Sequence, residues 1–254
     1  MRTPVFRRLR AILLLGLVLL ASCAGTMAEI RDGFRAQQAY AAGLEQYKLE
    51  DYEAAIPLFK RALELSPGLD DAESYLAWSY YHNGQYALAT RHFRRALARQ
   101  PGWEGLHNGL GWTRYRLRRY HLALESFRQA LALDPRYRDA GVGFAYSLFE
   151  LGRYAEALPH LERLTAEGEG GGFQSRLPDV EEVRGRLAWA LFYLGDFRRA
   201  REQFQRGVSA HPDWSGLHNG LGWCLLRLGD RAGARRSFTR ALQLADRLAG
   251  AGED

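Results

Sequence analysis

The residues best suited to chemistry in this chain are asparagines and tryptophans that recur together. From Pro101 to Trp112 the sequence reads PGWEGLHNGLGW, and from Pro212 to Trp223 it reads PDWSGLHNGLGW, ten of twelve positions identical at an offset of 111. Each copy sets an asparagine four residues before a tryptophan: Asn108 with Trp112, and Asn219 with Trp223. An amide both donates and accepts, so it suits a peptide backbone or a sugar hydroxyl. An indole face stacks on proline, on an aliphatic side chain or on a sugar ring. This is the chemistry of binding. His107 and His218 recur with the motif but have no metal-ligand partners near them in sequence and read as packing residues. No metal and no cofactor is expected. The chain has no glycine-rich phosphate loop ending in Lys and Ser/Thr, no helical HExxH and no GxSxG turn, so it is expected not to be an enzyme.

These residues must be held by helices. Apolar residues recur at spacings of three, four and seven, which places them on one helix face. Prolines mark a longer period: Pro67, Pro101 and Pro135 are 34 apart, and so are Pro178 and Pro212. A proline after a helix ends it, because it cannot donate to the helical ladder. In each period a small residue (Ala55, Ala89, Ala123, Ala157, Ala200, Ala234) is followed four positions later by a large apolar one (Phe59, Phe93, Phe127, Leu161, Phe204, Phe238). Small residues at such a crossing let two helices approach closely. A single hairpin of this kind cannot bury its apolar face alone, so stacking is obligatory.

A 34-residue period with these positions resembles the tetratricopeptide repeat. The resemblance implies an all-α fold, a solenoid of about six helix-turn-helix repeats forming a right-handed superhelix. Residues 34–246 form the array, with units near 36–69, 70–103, 104–137, 138–180, 181–214 and 215–246, and residues 247–254 form a tail. The turn inside the hairpin usually carries Gly, as at Gly84, Gly152, Gly195 and Gly229; unit three has Arg118 there. The offset of 111 equals three units plus nine residues, which points to duplication of a three-unit block with an insertion in the second copy. That insertion, about residues 166–176 (AEGEGGGFQSR), is expected to be a flexible loop, either a tolerated surface excursion or a partner contact or hinge.

In this family the concave groove is lined by fixed positions of the first helix of each unit, chiefly the second, fifth, sixth, ninth, twelfth and thirteenth. By register the ninth position gives Leu44, Trp78, Trp112, Tyr146, Trp189 and Trp223, and the twelfth gives Tyr47, Tyr81, Tyr115, Phe149, Phe192 and Leu226. Asn108 and Asn219 fall at the fifth, and Gly105, Gly109, Gly216 and Gly220 at the second and sixth, where missing side chains are expected to leave the groove floor open. The candidate ligand groove is therefore Asn108, Trp112, Tyr115, Asn219, Trp223, Trp78, Tyr81, Tyr146 and Trp189. The opposing reading is that the aromatics pack on one another and fill a narrow superhelix. Trp103 and Trp214 are expected in the turns between units, and Cys224 as a buried structural residue.

The first residues carry a different signal. Arg2, Arg7, Arg8 and Arg10 precede an apolar run, Ala11 to Ala21, too short for a membrane-spanning helix. Basic, apolar and then small residues form the pattern of an export signal. The run ends in Leu20-Ala21-Ser22-Cys23, which resembles the lipobox of bacterial lipoproteins. The resemblance implies a signal peptide over residues 1–22, acylation of Cys23, a short linker over 23–33 and a stable anchor from two or more acyl chains. Ala24 in place of Asp points towards the outer membrane, periplasmic face, or the cell membrane in an organism with one. Loss of the leader lowers the charge from 35 basic against 29 acidic residues to 31 against 29, so nucleic acid is not an expected partner.

Together these features imply a membrane-anchored scaffold that binds a protein or peptide partner in cell-envelope assembly or turnover. The overall plan is similar to lipoproteins that act as pilotins for type IV pilus secretins. An accessory role in envelope polysaccharide export, with sugars stacked on the tryptophans, is the third reading. The last repeat carries Leu242, Leu244 and Leu248 beyond its core positions. An uncovered apolar strip there predicts self-association or partner docking through the C-terminal end; an amphipathic last helix that caps itself is the alternative.

Overall fold

The computed structural model describes Met27, residues 29–169 and residues 180–250. Every regular element among them is an α-helix. Two compact units divide the chain, the first ending at Pro101 and the second beginning at Gly102. The first holds α1 (residues 29–48), α2 (Tyr52–Leu65), α3 (Asp70–His82) and α4 (Tyr86–Arg99). The second holds α5 (Glu104–Arg116), α6 (Tyr120–Leu133), α7 (Arg138–Glu150), α8 (Tyr154–Glu169), α9 (Val180–Tyr193), α10 (Phe197–Ala210), α11 (Ser215–Arg227) and α12 (Arg231–Gly250). Consecutive helices pair as antiparallel hairpins, two in the first unit and four in the second. Cys23 and residues 170–176 of the expected insertion lie outside the described residues.

Each boundary has a local cause. The first helix of a hairpin ends on a residue at positive φ: Gly84, Gly152, Gly195 and Gly229, with Glu50 and Arg118 taking the same conformation in the other two hairpins. Around that residue the backbone closes in a Schellman pattern, with Gln85 N–H donating to the Tyr80 carbonyl (2.8 Å) and Arg119 N–H to the Arg114 carbonyl (2.9 Å). The next helix begins two residues later, in places with an aspartate cap: Asp51 accepts from Ala54 N–H at 3.0 Å and Asp230 from Gly233 N–H at 2.8 Å. The second helix stops at Ser66, Gln100, Asp134 or His211, each with φ between −124° and −141°. Each of these precedes a proline, whose ring excludes the helical conformation from its neighbour.

The core follows the repeat. Ala55, Ala89, Ala123, Ala157, Ala200 and Ala234 are all buried, and so are Phe59, Phe93, Phe127, Leu161 and Phe204. Helical glycines set how closely the next helix lies on these rings. A Cβ on Gly143 would sit 2.2 Å from the Phe127 ring, and one on Gly220 would sit 2.3 Å from Phe204.

Three expectations change at element ends. Helix α8 continues through Ala166 to Glu169, so the first four residues of the expected loop are helical; Leu164 and Thr165 are still buried, and their packing carries the helix onward. Helix α12 runs to Gly250, four residues into the expected tail. Leu244 is buried rather than exposed, because it faces inward from α12, whereas Leu242 is 66% exposed; the Leu248 side chain lies outside the described residues.

Candidate functional site

The first helices of the second unit, α5, α7, α9 and α11, stand side by side, and their facing positions form the site. At its base Arg186 of α9 lies flat on Tyr146 of α7, with the guanidinium carbon 3.6 Å from the ring centroid. Its Nη1 donates to Glu182 (2.9 Å) and its Nη2 to the Tyr115 hydroxyl (3.4 Å). That hydroxyl donates in turn to Glu150 at 3.0 Å. Burial pushes the Tyr115 phenol up to about 12, against the opposing pull of Arg186, so it remains a donor at any physiological pH. Burial works against the Arg186 charge, but Tyr146, Tyr115 and Glu182 outweigh it and its pKa is raised. The result is a fixed guanidinium between two half-open carboxylates.

Above this base is a cleft of 570 Å³, walled by Phe149, Trp189 and Trp214 and edged by Glu150, Glu182 and Asp213. Its floor is open for a definite reason. A Cβ on Gly216 would meet nothing within 4 Å, and one on Gly185 would only reach Leu217 at 4.0 Å. A second recess of 390 Å³ lies between Trp189, Phe192, Tyr193, Trp223 and Arg227. Trp189 thus faces both spaces. Its ring is held edge-on by Phe204 (5.2 Å) and Phe192 (5.5 Å), while Trp223 leans on Phe238 (5.4 Å) and stays 43% exposed. Aromatic walls, an unfilled floor and a few fixed charges suit an extended peptide.

The expected site residues separate accordingly. Trp189 and Trp223 stand in the two spaces. Asn219 is exposed and lines a different pocket, at the end of the last hairpin. Asn108 is not a groove residue: it is 1% exposed, and its Nδ2 donates to the Asp139 carboxylate at 2.6 Å. Trp112 also bonds to that carboxylate, and its ring packs on Phe127 and Tyr115. Burial raises the Asp139 pKa, and the bonds from Asn108 and Trp112 oppose the rise. Tyr146 is buried beneath Arg186, so it supports the groove without reaching a ligand. Tyr115 is half-buried and acts through its hydroxyl. In the first unit Trp78 packs edge-on against Phe93 (5.1 Å) and Tyr81 (5.6 Å), and Trp78 and Tyr81 are half-buried. Gly220 does not open the floor but admits the Phe204 ring, and Gly105 is covered by Trp103, whose ring lies 3.0 Å from the place of a Cβ.

Glu150, Glu182, Gly185, Arg186 and Trp214 were missed. The first four occupy the thirteenth, second, fifth and sixth positions of their units, which the family register marks as groove-lining. They are not part of the repeated aromatic pattern. Nothing in the local sequence separates Trp214 from Trp103. His218 bonds through Nε2 to the Pro212 carbonyl (2.9 Å), in keeping with a packing role, and burial pushes the Cys224 thiol up to about 12. Among the described residues no group of acids, histidines and cysteines is placed to hold a metal, and no helix is long and apolar enough to cross a membrane.

Fold and site define a helical-repeat scaffold built to present a groove. Sequence profiles described as tetratricopeptide repeat match residues 108–171 and 186–249, and a second such profile matches residues 35–111; the chain belongs to the tetratricopeptide repeat family. No curated protein matches it in sequence. Among solved structures it is similar to PilF of Pseudomonas aeruginosa, with 19% identity and a TM-score of 0.65 over 86% of this chain and 94% of that one. PilW, a widely conserved type IV pilus biogenesis factor, has 22% identity and a TM-score of 0.64, over 80% and 90% of the two chains. YrrB, a repeat protein with an unusual peptide-binding site, has 19% identity and a TM-score of 0.61, over 73% and 91%. Likeness at these identities is a likeness of fold.

Proposed function

We propose that this protein is a non-enzymatic adaptor that holds a peptide segment of a protein partner in the cleft between α7, α9 and α11, and that lipid on Cys23 keeps it at an envelope membrane, on the periplasmic face of the outer membrane where there are two. The observation that carries the binding role is the cleft itself, 570 Å³ of open space beside Trp189, floored by Gly185 and Gly216 and edged by Glu150, Glu182 and Arg186. The anchor rests on the residues around Cys23. Pilus assembly is the second reading, favoured by the similarity to PilF and PilW over most of both chains. The test fills the cleft. Gly185→Gln adds a side chain where a Cβ meets only Leu217 at 4.0 Å, so folding is expected to hold while the space is lost. Cross-linked capture from detergent-solubilised envelope is expected to lose its main partner with this variant. An unchanged set of partners refutes the cleft as the binding site. Labelling with a radioactive fatty acid is expected to mark the wild type and not Cys23→Ser; equal labelling refutes the anchor.

A further inference from the structure

The two copies of the duplicated motif end differently, and the difference identifies a second binding surface. In the first copy the hairpin α5–α6 is covered by α7. The cover is specific. Asp139, in the first turn of α7, takes the Asn108 amide at 2.6 Å. Ala140 enters one buried cluster with Phe127 and Ala130. Gly143, four residues after the acid, lies against the Phe127 ring so closely that a Cβ would sit 2.2 Å from it.

The second copy presents the same residues without a cover. Counting on by 111, Asn108, Phe127, Ala130 and Leu131 become Asn219, Phe238, Ala241 and Leu242. These four, with Ser215, Gly216 and Ala245, line a pocket of 400 Å³. Phe127, Leu161 and Phe204 are fully buried in the earlier hairpins of this unit, but Phe238 is only half-buried, Ala241 likewise, and Leu242 is 66% exposed. Among the described residues no helix follows α12, and none sets a carboxylate on the Asn219 amide. The open face repeats residues that lie beneath α7 in the first copy.

We infer that the α11–α12 face receives a helix from a partner protein, one that carries Asp or Glu in its first turn, Ala or Gly directly after it and Gly four residues after the acid. The acid pairs with the Asn219 amide, and the two small residues let the helix settle on Phe238 and Ala241, as α7 settles on Phe127 and Ala130. Residues 1–26 of this chain contain no acid to pair with that amide. This surface adjoins the α7–α9–α11 cleft, with Ser215 and Gly216 common to both, but it centres on Asn219, Phe238, Ala241 and Leu242, which the cleft does not use.

The probe is the helix that the structure already displays: a blocked, fluorescently labelled peptide of residues 136–151, titrated with the full-length chain in detergent. Saturable anisotropy is expected. A peptide with Asp139→Asn is expected to bind roughly tenfold more weakly, the size of one charge-assisted hydrogen bond. Leu242→Arg, at an exposed position, is expected to abolish binding with an unchanged melting temperature, and Gly185→Gln to leave binding intact. Loss with Gly185→Gln and retention with Leu242→Arg would place the peptide in the cleft and overturn the assignment. No saturation up to millimolar chain also overturns it. So does a chain that is dimeric without peptide and becomes monomeric with Leu242→Arg, which would assign the face to a second copy.

Discussion

The duplicated asparagines allow one substitution to be made twice in nearly identical sequence and in different surroundings. Asn108→Ala removes a donor from a carboxylate that burial already destabilises. A hydrogen bond to a charged group contributes about 1.5–3 kcal/mol, and losing one partner leaves the other underbonded. Trp112 still bonds Asp139 and softens the loss. The Asn108 Oδ1 is buried without a partner, so its removal returns about 1 kcal/mol. The net expectation is a destabilisation of about 1–2 kcal/mol. Asn219→Ala, at an exposed side chain facing no carboxylate, is expected to stay within about 0.5 kcal/mol. Urea unfolding of the two single variants, followed by circular dichroism, measures the difference. A cycle of Asn108→Ala with Asp139→Ala then isolates the pair, with an expected coupling of at least about 1 kcal/mol. Equal effects at positions 108 and 219, or a coupling below about 0.3 kcal/mol, would refute the assignment of Asn108 to structure.

Three further outcomes follow from the same geometry. The raised Asp139 pKa means that the folded state binds this proton more readily than the unfolded state; its ionised form costs stability above the folded pKa, and the cost is relieved as pH falls through that value. The melting temperature of the wild type is therefore expected to gain on that of Asp139→Asn as the pH is lowered from neutral towards the ordinary aspartate range, and a constant difference would contradict this. Arg118 holds the left-handed conformation (φ 57°) that glycine holds in four other hairpins, so Arg118→Gly is expected to stabilise by about 0.5–1 kcal/mol in thermal unfolding. Two glycine-to-alanine changes should act in opposite senses: Gly143→Ala, driven into the Phe127 ring, is expected to destabilise by about 2 kcal/mol or more, and Gly185→Ala, in open space, to stabilise by about 0.5–1 kcal/mol. Calorimetry on both variants checks the contrast.

The fold was readable from sequence because every one of its causes is local or periodic. Pro67, Pro101, Pro135 and Pro212 close helices through their neighbours' backbone, Gly84, Gly152, Gly195 and Gly229 close turns through positive φ, and the Ala and Phe positions of each hairpin meet at a fixed spacing. None of these requires knowledge of a distant residue. The site was only partly readable, because position within a repeat states which face a residue is on and not what covers that face. Asn108 and Asn219 are identical in register and neighbours, yet Asp139 arrives over one and no described helix arrives over the other. Gly216 and Gly220 share a helix, yet one opens the cleft and the other admits Phe204. Arg186 is an unremarkable arginine until α7 brings Tyr146 beneath it and Glu150 beside it. The sequence by itself determined the hairpins, their count and the face each residue occupies; the tertiary structure decided which of those residues remain accessible, because accessibility is a property of the next element in the stack and not of the residue.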